Sequence, residues 1–588
     1  MTGANEWGHT VQPQDGGGDV MHALAEADRP RHSDQTPGEW LKSNLFSSWY
    51  NGLITIVFGT VGIVLGFLFL RFLLINARWE PVRANLELFF VGRFPREERT
   101  RMIVQVLFVA GSAGMFAGWL RQRSHAQAEL AGIDPPETSI RELIGSYWSV
   151  ALFAVSSIAI GAGVDSFRPW VLFAGAILAG AAGFALTLRP RRGPAGVVLA
   201  IVPLVPFALA GGVLSLVPDL ANGSAYLIAT VTAIGLAVVQ YLQRPAVTLS
   251  GAMLLGVAGF QVLSGTTGMA WVFLTIALLP AALDALDRLG DGAGSMSGIV
   301  GSLLFGGGVV FYVLFTGITP LRIIALAVGL GVALVTLVGA LGGDSATGQR
   351  LGTVTVLALV TWYIGRLIGL DGIDWSSWGG LHLNIVIAAA SITLAFPIGL
   401  LLALGRRSSL PVLRWLCTTY IELIRGVPLI SLLLMAQLFV GFFLSSGQNN
   451  LTLTTKALIV ITMFSSAYIA EIVRGGLQAV PKGQTEAGQA MGLSPAKITR
   501  LLVLPQALRA VIPSMVGQFI SLFKDTSLLT IIGVQEFLGT REIVHTQEAF
   551  RGFGLVETLV FVAFGFWAIS FTQSRESQRL ERRLNVSN

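Results

Sequence analysis

The sequence predicts an all-α protein that crosses a membrane many times, and three observations predict it. Only 12% of its 588 residues are charged and 53% are hydrophobic, where a soluble domain carries about 25% charged residues. Apolar runs of about 20 residues, long enough for a hydrocarbon core of roughly 30 Å, recur with little between them. Glycine is abundant, at 69 residues, as suits helices that approach closely in lipid through small side chains. The net charge of +6 is spread over loop arginines and forms no basic, aromatic-interleaved surface, so no nucleic-acid partner is expected. A single cysteine, Cys417, excludes an internal disulfide or a cysteine-based metal cluster. The six histidines are scattered without ligand spacing.

Taken in order, residues 1–45 are rich in Gly, Pro, Asp and His, lack an apolar signal-peptide core, and are expected to be a disordered cytoplasmic tail. Apolar runs follow at 52–75, 102–120, 143–162, 169–188, 195–216, 224–241, 246–264, 268–285, 296–317, 321–341 and 351–370. Others lie at 382–405, 425–445, 455–477, 510–534 and 555–574. The expected total is about 16 spans. Lys and Arg in short loops set the orientation. With both termini in the cytoplasm, Arg121, Arg123, the "RPRR" at 189–192, Arg244, the "GRR" at 405–407, Lys482, Lys497 and Arg500 all lie inside. The exception is 77–101, an expected outer loop with six arginines and four glutamates.

The stretch "KGQTEAGQAMGLSPAKITRLLVLPQALR" (482–509) is polar by contrast and reads as two short helices. Thr485 and Glu486 suit a helix start. Ala487, Ala490 and Met491 share one small apolar face, and Gly492 suits a helix stop. Ser494 and Pro495 suit an N-cap and first turn, with Leu493 and Ile498 as a hydrophobic staple. The second helix is expected to run until Pro505. Such a hairpin is either a docking element or an amphipathic connector.

Glu486, Ala487, Gly492, Leu504 and Pro505 stand at the spacing of the EAA loop of ABC-importer permeases. Gly488 occupies a position that is usually Ala, and Leu502 one that is usually Ile. "IELIRGVPLI" (421–430), "AYIAEIVRGGLQAVPKGQTEA" (467–487), "LPQALRAVIP" (504–513) and "FISLFKDTSLLTIIG" (519–533) resemble permeases of the polar amino-acid uptake family. "NLFSSWYNGLITIV" (44–57), "ELFFVGRFPREER" (87–99), "LLALGRRSSLP" (401–411) and "SQRLERRL" (577–584) are similar, more narrowly, to the larger permease subunit of general L-amino-acid importers.

The resemblance implies a C-terminal type I permease core of five helices at 379–588, with 482–505 as the loop that couples to an ATPase. It leaves an N-terminal transmembrane pair with a periplasmic loop at 46–125 and an insertion at 126–378. The implied coupling residues are Glu486, Ala487, Gly488, Gly492, Leu504 and Pro505. The implied partners are ABC ATPase subunits, a second permease (the same or a different chain), a periplasmic amino-acid-binding protein, an L-amino-acid substrate and membrane lipid. The chain is expected to be no enzyme, to bind no cofactor itself, and to sit in the inner membrane, with ATP and Mg held by the partner ATPase.

Lys524, Asp525, Thr526 and Ser527 fall inside an apolar run, where charge costs roughly 2.5–3.5 kcal/mol each. They either line a path for a zwitterionic amino acid or form structural charge pairs. Glu422 with Arg425, and Glu471 with Arg474, are expected to be structural ion pairs at i, i+3 spacing. "GGDSATGQR" (342–350) has Gln349 where a P-loop needs Lys and is set aside. The competing reading of the whole chain is a secondary transporter, which would show paired interrupted helices in two halves.

Overall fold

The computed structural model describes residues 37–95, 98–131, 140–161, 169–187, 236–237, 239, 244–265, 270–289, 294–316, 320–341, 345–368, 372–443 and 452–585. The expected spans at 195–216 and 224–241 fall almost wholly outside these residues, as does the tail before Pro37. The described residues are overwhelmingly helical and contain no strand beyond one isolated bridge, Gly380 to Glu536. The chain divides into two compact units, the first ending at Arg78 and the second beginning at Trp79. The first helix of the segment 46–125 lies in the first unit and the second helix in the second unit.

The first unit holds α1 (Pro37–Asn44) and α2 (Trp49–Arg71), which continues through a π-turn at Phe72–Asn76. Ser48 caps α2, its hydroxyl accepting from the Asn51 N–H at 3.4 Å. Large apolar side chains point outward all round α2, including Ile63 and Phe67, the pattern of a helix that faces lipid.

In the second unit, α3 (Glu80–Ala84) and α4 (Leu86–Val91) form a short wedge. The segment expected as an outer loop, 77–101, is thus built of short helices and packed. Val82, Leu86, Phe89, Phe90, Val91 and Phe94 are buried in one cluster with Leu383, Phe537 and Phe561. Apolar burial of this size outweighs loop freedom, and two of the arginines are paired: Arg99 with Glu87, and Arg101 with Glu98 at 2.9 Å.

The helices between the wedge and the C-terminal core are α5 (Arg99–Ala131), α6 (Ile140–Ile160), α7 (Pro169–Ala185), α8 (Pro245–Ser264), α9 (Ala270–Leu289), α10 (Gly294–Thr316), α11 (Pro320–Leu341) and α12 (Ser345–Ile368). Small residues set their spacing. A Cβ on Gly183 would lie 2.1 Å from the Gly111 carbonyl, so α5 and α7 meet backbone to backbone. The Gln349 amide donates to Ser297 between α10 and α12, a packing contact at the position where a P-loop would need Lys. These helices join the C-terminal core through α5, whose Gln105 hydrogen-bonds His382 of the core, and through α6. The Ser149 hydroxyl donates to the Ala568 carbonyl at 2.9 Å, and Trp148 meets Trp567 edge-on at 5.6 Å.

The core itself comprises α13 (Gly380–Arg406), α14 (Pro411–Gly426), α15 (Leu429–Phe443), α16 (Leu453–Ala479), the hairpin, α19 (Leu504–Asp525), α20 (Thr540–Thr546) and α21 (Leu555–Asn585). The single span expected at 425–445 is instead a broken pair, α14 and α15, bent by 99°. Pro428 has no N–H and holds Val427 extended (φ −109°, ψ 133°), which ends α14. α13 and α16 pack tightly, since a Cβ on Gly399 would stand 2.7 Å from Ile469 Cγ2.

Among the described residues, seven helices are long and apolar enough to cross a membrane, or eight with the α14–α15 pair as one span. Five of these eight belong to the C-terminal core. Further helices of 23, 22 and 24 residues, α10, α11 and α12, lie between the wedge and the core.

Candidate functional site

The hairpin opens two residues after α16 ends, on α17 (Lys482–Ala490). The helix begins at Lys482 behind Pro481, which fixes the entry. Glu486 therefore sits in the second turn and not at the start, as the sequence had implied. The far end follows expectation closely. Gly492 is left-handed (φ 73°), its N–H donates to Gln489 O at 2.9 Å, and the Leu493 N–H donates to Gly488 O at 3.1 Å. These two bonds complete a Schellman stop. Ser494 and Pro495 then open α18 (Pro495–Ile498), without a bond from the serine hydroxyl.

The second helix does not end at Pro505. α18 passes through a π-turn, Thr499–Val503, directly into α19. The Leu504 N–H reaches back to Thr499 O, and Pro505 falls in the first turn of α19, where a missing donor costs little.

The two faces of α17 differ. Gly488 is buried, and a Cβ there would lie 2.9 Å from Ile498 Cγ1 and 3.1 Å from Leu502 Cδ1. Ile498, Val503 and Ala507 are buried with Val473 and Leu477 of α16. Gly488, one of the coupling residues the resemblance implies, thus lies on the inner seam of the hairpin, against Ile498 and Leu502. On the outward side Glu486, Ala487, Ala490 and Met491 are all exposed, Met491 by 67%. Leu504 is half-buried and Pro505 exposed.

At the same end an ion network joins α13, α14 and α16. Glu471 takes Arg474 (Nε at 2.7 Å), Arg406 (3.1 Å) and Arg425 (3.5 Å). Arg425 also lies over the Tyr468 ring, 5.4 Å from its centroid. Glu422 pairs with Arg406 at 2.8 Å and not with Arg425, as its spacing had implied. On α14 the i, i+3 geometry loses to a cross-helix partner, because Arg406 closes α13 within reach of both carboxylates.

The four candidate pathway residues separate. α19 ends at Asp525 and continues as a 3₁₀ turn, Thr526–Ile532. Lys524 is exposed, and Asp525 and Ser527 are half-buried. Thr526 is fully buried: its hydroxyl donates to Phe523 O at 2.6 Å and accepts from Asn384 Nδ2 at 2.9 Å. It is part of the frame. Above Lys524, one face of α19 exposes Ala510, Ser514, Gly517 and Ser521 in succession.

Asn384 leads to a polar knot at the end opposite the hairpin. The Glu536 carboxylate, fully buried, accepts from Asn384 Nδ2 (2.8 Å), Leu538 N (2.9 Å), Gly539 N (2.9 Å) and the Thr530 hydroxyl. Burial pushes this carboxyl above the usual carboxylate range, and the four donors offset only part of that rise. Asn384, Glu536 and Arg406 were missed in the sequence. The first was legible as an amide inside an apolar run; the other two needed the folded partners.

Residues 395–585, which contain the hairpin and the ion network, match the family described as binding-protein-dependent transport system inner membrane component. An inner membrane amino-acid ABC transporter permease of Escherichia coli is 42% identical over 39% of this chain, and the chain spans only 63% of that relative's length. A glutamate/glutamine/aspartate/asparagine transport system permease of Rhodobacter capsulatus is 37% identical, covering 53% of this chain and 71% of the relative. A probable glutamine ABC transporter permease of Bacillus subtilis is 35% identical over 35% of this chain and 92% of its own. The chain belongs to the binding-protein-dependent transport system inner membrane components, the permease subunits of ABC uptake systems.

Proposed function

We propose that this chain forms part of the transmembrane path of an ATP-driven amino-acid importer and is coupled through residues 482–505 to a separate ATPase. The observation that carries the reading is the two-faced hairpin helix. Its inner face is packed to contact on Gly488, Ile498 and Leu502, while its outer face leaves Glu486, Ala487, Ala490 and Met491 bare. A connector needs only the first of these faces. A small, apolar-centred outer face on a rigid hairpin fits a groove on another subunit.

The path is assigned to the exposed face of α19. Ala510, Ser514, Gly517, Ser521 and Lys524 repeat at alternating spacings of four and three, the pattern of a helix–helix seam. Small residues, two of them serines, ending in a lysine suit a second permease or an aqueous path better than lipid. Lys524 and Asp525 offer a cation and an anion to a zwitterionic amino acid. The amino-acid class comes from the relatives, whose names specify amino-acid permeases. The hairpin lies in the cytoplasm and both termini with it, by the distribution of loop arginines. A periplasmic binding protein delivers substrate to the opposite end, where the wedge and the 533–553 loop meet. A secondary carrier has no use for a bare docking face at one end.

The test is purification of the full complex with Glu486→Lys or Met491→Asp. Loss of the ATPase from an otherwise intact membrane assembly is expected. Retention of the ATPase with normal uptake in both variants would remove the coupling assignment.

A further inference from the structure

We infer that Glu471 is a positioning residue for coupling: it ties the helix that carries the hairpin to α13 and α14, so that movement of the docked hairpin reaches the transmembrane helices as one displacement. The inference rests on the hairpin being the ATPase-docking element.

Three observations carry it. Glu471 is the shared acceptor for three guanidiniums from three helices, Arg406 of α13, Arg425 of α14 and Arg474 of α16 itself. Its side chain is only 20% exposed, whereas that of Glu422, which pairs with Arg406, is 58% exposed. Position matters as much. Arg474 stands five residues before the end of α16, about 7.5 Å of helix, and only Val480 and Pro481 separate that end from α17. On its other side α16 is held against α19, since a Cβ on Gly476 would lie 2.5 Å from Ala507 O. The last turns of α16 are thus fixed to the hairpin and α19 by close packing, while Glu471 adds an ionic tie to α13 and α14 beside the apolar packing of Ala403 and Ile421 on Val473 and Leu477.

Three cations converge on two anions here, an excess of one positive charge. Neutralising Glu471 leaves three arginines sharing Glu422, and their repulsion separates the helix ends that Glu471 joined. Neutralising Glu422 leaves all three arginines on Glu471. The two substitutions are therefore unequal for a reason that composition alone does not contain.

The test uses the complete complex, with its ATPase and partner permease, in proteoliposomes. The readouts are ATPase retention, basal hydrolysis, and stimulation of hydrolysis by amino-acid-loaded binding protein. Glu471→Gln is expected to keep the ATPase bound and basal hydrolysis intact while stimulation falls about fivefold or more, the lower range of an allosteric coupling. Glu422→Gln is expected to change stimulation less than twofold, and Glu471→Asp to restore part of it. Full stimulation in Glu471→Gln would overturn the inference, as would equal losses in Glu422→Gln. If Glu471→Gln does not assemble, Glu471→Asp decides: reduced stimulation in an intact complex supports the role, and normal stimulation overturns it. Met491→Asp separates this from the underlying reading. An ATPase that stays bound and fully stimulated in that variant means the hairpin is not the docking element, whatever Glu471 does.

Discussion

Gly475 and Gly476 are neighbours near the hairpin end of α16, yet they face different surroundings. A Cβ on Gly475 would meet nothing within 4 Å, while one on Gly476 would lie 2.5 Å from the Ala507 carbonyl oxygen and 2.5 Å from Val511 Cγ1. Substitution by alanine gives each the same gain in helix propensity, about 0.8–1 kcal/mol. Only Gly476→Ala adds an overpacking cost, typically about 1–3 kcal/mol. That cost should lie toward the upper end, because a backbone carbonyl cannot rotate away as a side chain can. Gly475→Ala is therefore expected to be neutral or stabilising by up to about 1 kcal/mol, and the two variants to differ by about 1–3 kcal/mol. The assay is the midpoint of thermal inactivation of the solubilised complex, with uptake per assembled complex measured alongside. Gly476→Ala should lower both, because Ala507 lies at the start of the helix that leaves the hairpin. Equal midpoints for the two variants would refute the close α16–α19 contact.

Three further outcomes are expected. Lys524→Met and Asp525→Asn should each lower uptake per complex by roughly 10- to 150-fold, the loss of a charged hydrogen bond worth about 1.5–3 kcal/mol. Unchanged rates for acidic, neutral and basic amino acids in both variants would make these charges architecture. At the opposite end, burial raises the Glu536 carboxyl, so the folded state holds that proton more tightly than the unfolded chain. Its stabilising effect is full below the ordinary glutamate value of about 4.3 and is lost as pH rises through the raised folded value. A midpoint-versus-pH curve should fall across that window and flatten in Glu536→Gln; the same slope in the variant would assign it to another group. Finally, removing α10 and α11 together, an even number of helices, should preserve ATP-dependent uptake, whereas Trp148→Ala on α6 should weaken the complex, because Trp148 packs on Trp567 of the last core helix. Loss of transport in an inserted, ATPase-bound α10–α11 deletion would show that these helices take part.

The helical class and most helix positions were legible because apolar runs and glycine frequency report burial in lipid directly. So was the hairpin stop at Gly492, where local backbone chemistry decides the outcome. What escaped the sequence depended on distant partners. Gly488, implied as a coupling residue, is buried under Ile498 and Leu502. Thr526 looked like a pathway hydroxyl and is held by Asn384, 142 residues away in sequence. Glu422 faced its i, i+3 arginine on paper but found Arg406 across the helix boundary. The wedge at 80–91 read as a loop because six arginines dominate its surroundings, and its buried phenylalanines needed Phe537 and Phe561 to give them a surface.

The central claim, that the bare face of the hairpin is covered by an ATPase, has a direct test. The chain holds one cysteine, the buried Cys417, so a Cys417→Ala background gives a clean thiol assay. Met491→Cys places a reporter on a side chain that is 67% exposed. Its rate of labelling by a membrane-impermeant maleimide is measured in inside-out vesicles with and without the ATPase subunits. Rapid labelling without them and strong protection with them are expected. Equal rates in both samples would contradict it.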